Sequence, residues 1–123
     1  MVSRRRGELM PLEVALLSAG VELQGQGIEP YGFLLAKRLA DGRPGALTAH
    51  GTLYKALSRL VAAGLLESSW EDPAISEGES RPRRRLYRVT GEGELALSRA
   101  QAEERTRAAE ATRTAARVTP RDA

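Results

Sequence analysis

Three polar side chains in this 123-residue chain, Thr52, Lys55 and Arg59, recur at 3–4 spacing and so share one face of any helix that contains them. A hydroxyl, an ammonium and a guanidinium on one face are groups that reach base edges and phosphates in a DNA major groove. His50 comes just before them. As a neutral imidazole it can hydrogen-bond a base or phosphate, and the other reading is a solvated residue at a helix start. Gly51 lets the backbone approach a phosphate closely, or simply fits a tight place near a cap. Tyr54 has a ring beside Leu57 and a polar tip, which suits core packing and phosphate binding together. A second basic set is Arg81, Arg83, Arg84 and Arg85. Strand alternation sends Arg83 and Arg85 to one side and Arg84 to the other, so not all of them can touch one duplex. Such runs are usually solvated faces, but this one sits where a wing would meet the DNA backbone or minor groove, which favours contact.

Other chemistry is poorly supplied. One histidine and no cysteine leave neither a thiolate nor the ligand set of a zinc site. There is no Gly-rich phosphate loop, and the carboxylates fall in solvated runs. The expectation is a protein that is not an enzyme, with no metal and no cofactor.

The elements that must position these groups follow from periodicity. In residues 48–70, TAHGTLYKALSRLVAAGLLESSW, Leu53, Leu57, Leu60 and Ala63 form one apolar stripe. Thr48 is placed to cap the helix and Gly64 to close it. This predicts a helix over 49–63 whose other face carries Thr52, Lys55, Ala56 and Arg59. Leu65 and Leu66 then open a strand over 65–71 that leads to Trp70. The single tryptophan reads first as a buried anchor and second as a ligand wall. Residues 72–82, rich in Pro, Ser, Gly and Glu, read as a mobile hairpin tip, and 84–89 as the return strand, with Tyr87 and Val89 packing and Leu86 opposite. A helix with a basic outer face followed directly by a strand is the core of a winged helix-turn-helix.

Upstream, residues 9–23 read as a first helix with Pro11 in its first turn. Leu9, Leu12, Leu16, Ala19 and Leu23 lie along one side and Val14, Leu17 and Val21 along another. Two apolar sides exceed what a surface helix needs. One is assigned to the core and the other to a partner subunit, against the alternative that its own domain buries both. A second helix over 31–40 turns Leu35 and Leu39 inward and Lys37 and Arg38 outward. DGRPG at 41–45 signals a turn, and Ala46 and Leu47 a two-residue strand. Downstream, Thr90 caps a last helix over 91–117, with Glu92 and Glu94 at its positive end. Ala108, Ala111, Ala115 and Val118 keep helical spacing beyond any core of a domain this size, so this helix either frays or packs on a second chain.

The formal net charge is +3, a mild excess concentrated at Arg4–Arg6 and in the 81–88 run. No apolar stretch approaches the roughly 20 residues needed to span a bilayer, and Glu8 and Glu13 interrupt any signal-peptide core. A soluble, cytoplasmic chain without membrane contact is expected.

HGTLYKALSRLVAAGLLESSW, followed by RRRLYRVTGEGELAL, closely resembles the PadR family of bacterial transcriptional regulators over about residues 9–97. Gly51-Thr52-Leu53-Tyr54, Gly64-Leu65, Trp70, and Tyr87, Thr90 and Gly93 fall in the family's order. Where the family's second helix usually opens His-Gly-Tyr, this chain has Tyr31-Gly32-Phe33. The resemblance implies a homodimeric winged-helix DNA-binding protein with the last helix as a dimer arm. It also implies that some members respond to small aromatic or drug-like effectors.

The resulting expectation is mainly α with a small β-wing: a flexible basic arm (1–8), a winged helix-turn-helix domain (9–90), a dimerisation helix (91–118) and a disordered tail (119–123). Thr48, His50, Gly51, Thr52, Tyr54, Lys55, Arg59, Arg83, Arg84 and Arg85 are the candidate contacts to double-stranded DNA. Leu9, Leu12, Leu16, Leu95, Leu97, Ala108, Ala111 and Ala115 are the candidate dimer contacts. The function expected is a dimeric repressor reading a pseudo-palindromic operator. Its rivals are a winged-helix protein-interaction module and a nonspecific architectural DNA binder.

Overall fold

The computed structural model describes residues 8–42 and 50–118. Among them the order is α1 (Pro11–Gly25), α2 (Gly32–Gly42), α3 (His50–Ala62), β1 (Leu66–Trp70), α4 (Pro73–Gly78), β2 (Arg85–Val89) and α5 (Gly91–Val118). The expected arm at 1–7, the turn and short strand at 43–47, the Thr48 cap and the tail at 119–123 lie outside the described residues.

α1 begins at Pro11, which needs no helical hydrogen bond on its nitrogen. The Glu13 carboxylate reaches back to accept the Met10 N–H at 2.8 Å, the second half of a capping box. α1 packs against α2, α3, α5 and β2. Leu16, Leu17, Ala19 and Leu23 are buried, and Leu12, Val14 and Val21 pack half-buried around them. Its own domain therefore packs on both of its apolar sides, which stay partly open at Leu12, Val14 and Val21.

α3 shows Leu53, Leu57 and Leu60 buried, as its periodicity required, but the fourth member of the stripe is Ala56, which is fully buried, and not Ala63, which is exposed. At 100° per residue Ala56 lies about 40° beyond Leu60 on the flank of the stripe, where it is fully buried, so its place on the outer face is also corrected. α3 ends as a Schellman motif: Gly64 adopts φ +78°, its N–H donates to the Val61 carbonyl at 3.0 Å, and the Leu65 N–H to that of Leu60 at 2.9 Å. A side chain at Gly64 would strain this left-handed turn. It swings the chain directly into β1.

β1 and β2 pair antiparallel, with Leu66 opposite Val89, Ser68 opposite Tyr87 and Trp70 opposite Arg85. Leu66, Tyr87 and Val89 are buried together at the base of the wing. Leu86, on the opposite side, bridges to Tyr31, and the Tyr87 N–H donates to the Pro30 carbonyl at 2.9 Å. Gln24 of α1 pins the same strand by accepting the Val89 N–H at 2.6 Å.

Residues 72–82 are not a featureless tip. Asp72 caps α4 by accepting the Ala74 N–H at 2.9 Å, and Pro73 occupies the first helical position. Arg81 clamps the wing below α4. Its Nη1 and Nη2 donate to the two oxygens of Glu71 at 2.7 and 2.8 Å, and its Nε to Glu79 at 2.9 Å. These hydrogen bonds hold the Glu71 carboxyl down to about 2 and push the Arg81 guanidinium up.

Thr90 begins α5 as expected, its hydroxyl accepting the Gly93 N–H at 3.0 Å. Leu97 is the last buried residue of α5, and residues 101–116 are exposed along their whole length. No helix among the described residues is long and apolar enough to cross a membrane.

Candidate nucleic-acid interface

α3 carries Gly51, Thr52 and Lys55 as exposed residues, with Tyr54 half-buried. The Leu53, Ala56, Leu57 and Leu60 core contacts fix which way they point. Among the described residues nothing lies within 4 Å of where a Gly51 Cβ would stand. Its lack of a side chain thus answers no internal crowding and leaves the backbone open from outside. Tyr54 lies against α2: a Cβ on Gly32 would collide with its hydroxyl and come within 2.8 Å of its Cζ. Gly32 is therefore the seat of the Tyr54 ring, a physical reason for the central glycine of Tyr31-Gly32-Phe33. The imidazole of His50 lies outside the described side chains.

Arg59 sits on the same face but is tethered. Its Nε donates to Oε2 of Glu13 at 3.0 Å, with the Arg59 side chain 43% exposed and that of Glu13 only 2%. Sequence reasoning treated Glu13 as a solvated interruption of an apolar run and missed it. The available signal was its place at the third position of α1, where a carboxylate serves the helix N-terminus.

On the wing each of the three candidate arginines rests on an aromatic ring. Arg83 and Arg85 lie over Trp70, with Cζ 5.3 and 4.9 Å from the ring centroid, and Arg84 lies over Tyr31 at 4.0 Å. The alternation read from sequence is therefore observed, with Arg83 and Arg85 on one side and Arg84 on the other. A guanidinium lying over a ring keeps its N–H groups at the rim, where they can meet phosphate oxygens. Arg85 also donates to Ser68 Oγ at 3.1 Å. Arg81 does not join this set, because Glu71 and Glu79 occupy its donors.

Trp70 is 55% exposed, so the buried-anchor reading is corrected. It stands on the same strand face as Leu66 and Ser68, but at the end of β1 that overhangs the core. There it is an open shelf for Arg83 and Arg85, not the wall of an enclosed site. Phe33, 71% exposed on the first turn of α2, was not singled out from sequence. An apolar residue next to a buried glycine gave no sign of its exposure.

The candidate dimer residues separate into two groups. Leu16 and Leu97, 1% and 6% exposed, are core residues of their own chain. Their availability to a partner is corrected: they fill the core that α1 and α5 share. Leu9 and Leu12 are half-buried, while Leu95, Ala108, Ala111 and Ala115 are exposed. A groove of about 890 Å³ runs between α1 and α5, with Val14, Ala15, Ala96 and Ala100 among its apolar lining and Glu8, Arg99, Glu103 and Arg107 among its charged residues.

Among the described residues no three His, Cys, Asp or Glu side chains cluster as metal ligands would. No buried side-chain nitrogen or oxygen there lacks a hydrogen-bond partner.

Comparison with known proteins agrees with this geometry. None of the curated proteins compared with the chain matches it. Many solved structures do. A PadR family transcription regulator from Clostridium difficile R20291 superposes with a TM-score of 0.67 at 22% identity, covering 84% of this chain and 96% of the other. One from Eggerthella lenta DSM 2243 gives 0.62 at 29% identity, covering 80% and 79%. A PadR-like regulator from Bacillus cereus ATCC 14579 gives 0.65 at 19% identity, covering 84% and 89%. The first and third, at such low identity, speak for the fold alone. The model of the transcriptional regulator PadR-like family matches residues 23–99, the span that holds α2, α3, the wing and the start of α5. The chain belongs to the PadR-like family, and it is a DNA-binding transcriptional regulator with a winged-helix fold, not an enzyme.

Proposed function

We propose that the chain acts as a homodimeric repressor that occludes a promoter by binding a pseudo-palindromic operator, with α3 in the major groove and the wing on the flanking backbone. The observation that carries this reading is the division of donors. Thr52 and Lys55 stand exposed on α3, while Arg83, Arg84 and Arg85 are shelved on Trp70 and Tyr31. Exposed polar groups on a packed helix suit base and phosphate contacts. A protein-interaction helix would more often offer apolar anchors there. Dimerisation is supported by α5, whose residues 101–116 are exposed along their whole length, and by the groove beside it. A second copy laid along α1 and α5 would fill that groove and cover Leu95.

Competition tests the reading. Binding to an operator-bearing duplex should survive a large excess of random-sequence duplex. Equal displacement by both would leave a nonspecific architectural binder.

A further inference from the structure

We propose that Glu13 is a positioning residue for DNA binding: it holds Arg59 by Nε so that the two terminal nitrogens of the guanidinium are presented to a DNA phosphate. This rests on the reading of α3 as the DNA-contacting helix. Glu13 is an interior carboxylate on α1, not on the surface that meets DNA. Its Oε1 is fixed by the Met10 N–H at 2.8 Å, so the turn that starts α1 sets the orientation of the whole group. Its Oε2 accepts from Arg59 Nε at 3.0 Å.

Exposure is unequal across the pair. The Glu13 side chain is 2% exposed, whereas that of Arg59 is 43% exposed. Arg59 cannot leave for a phosphate without stripping a buried carboxylate of a cationic partner, which is strongly unfavourable. It has no need to leave. A guanidinium has five N–H donors in one rigid plane, and among the described residues Arg59 uses only its Nε in a hydrogen bond. The four N–H groups on Nη1 and Nη2 stay in a plane that Glu13 has already fixed, on the face that carries Thr52 and Lys55. A phosphate there would meet a fork that loses little freedom on binding. Lysine in the same place carries its three donors on one compact nitrogen, which cannot both stay on Glu13 and present a planar pair of terminal nitrogens to a phosphate.

A double-mutant cycle tests this on full-length protein. Glu13→Gln, Arg59→Ala and the double variant would be titrated with a random-sequence duplex at several salt concentrations, since phosphate contacts do not depend on sequence. Circular-dichroism melts would establish that each variant is folded at the assay temperature. Arg59→Ala should weaken binding by about tenfold and reduce the salt slope by about one. Glu13→Gln should lose affinity and slope in the same direction, and the double variant should be no weaker than Arg59→Ala alone. Arg59→Lys keeps the charge and should still bind about as weakly as Arg59→Ala. It decides the matter alone if Glu13→Gln does not fold. Wild-type affinity and slope in folded Glu13→Gln, additive losses in the double variant, or full binding by Arg59→Lys would each overturn the proposal. Lys55→Ala separates the two layers. If it weakens binding while Glu13→Gln does not, only the positioning role fails; if neither does, the α3 reading fails with it.

Discussion

Lys55 has its ammonium on an exposed face of α3, and none of the hydrogen bonds or ion pairs among the described residues engages it. Its removal touches no core contact. Lys55→Ala should therefore leave the melting temperature within a degree or two of wild type, while DNA affinity falls and the salt slope drops by about one. Anisotropy titrations across salt check this, and an unchanged slope would remove Lys55 from the interface. The wing arginines differ in kind. Arg83 and Arg85 share the Trp70 shelf and are the proposed contacts to the DNA backbone. Replacing both with Ala should weaken binding to many sequences nearly evenly, whereas Thr52→Ala should weaken it mainly where one base pair is read. Binding-site selection with both variants distinguishes them: a loss confined to one base position in the wing variant would reverse the two roles.

Among the elements, the tip of the wing is clamped by one carboxylate. Glu71 is 6% exposed, accepts both Nη groups of Arg81 and also the Arg84 N–H at 3.3 Å. Its folded carboxyl is lowered from the ordinary 4.5 to about 2. A depressed acid stabilises the fold fully above its unfolded value and loses that contribution as pH falls through its folded value. The wing clamp should thus be intact above pH 4.5 and released progressively toward pH 2. Amide exchange of Glu79, Ser80 and Arg81 should accelerate across that window in the wild type, after correction for intrinsic rates. In Glu71→Gln it should already be fast at pH 6 and lose this step.

α1, α2, α3 and α5, both strands, the Gly64 turn and the Thr90 cap are readable in the sequence, because 3.6- and 2-residue periods and local caps are written in neighbouring residues. α4 and the Glu71–Arg81 clamp are not. A tract rich in Gly, Ser and Glu looks like a loop until a pairing ten residues apart closes it. Ala56 and Ala63 were exchanged for a related reason: small residues carry too little hydrophobic signal to mark the edge of an apolar stripe.

For the whole molecule, the exposure of Trp70 and the burial of Leu16 and Leu97 were decided by where the core ends, which no local pattern states. α1 serves as the central strut of one small core, so the polar substitutions Leu16→Asp and Leu97→Asp would test folding and not assembly. The proposed assembly uses the surface that α5 leaves open. Leu95 is 51% exposed, and Leu95→Glu should shift sedimentation toward monomer at micromolar concentration while the melting curve of the monomer is retained. Truncation after Ala102 removes residues 103–123, of which the exposed stretch 103–116 carries alanines that bury little area, at roughly 25 cal/mol per Å². It should weaken the dimer in part, and a truncated chain as tightly dimeric as wild type would exclude residues 103–118 from the interface.

Two copies that present two α3 helices to one duplex would read its sequence as two half-sites. Selection of bound fragments from a random DNA pool, followed by sequencing, measures this most directly. The expected result is an enriched inverted repeat whose half-site centres lie one helical turn apart, about 34 Å or 10 base pairs, and whose enrichment collapses in Lys55→Ala. A pool that emerges without any enriched motif, from a protein that binds it with steep salt dependence, would exclude sequence-specific binding by paired α3 helices.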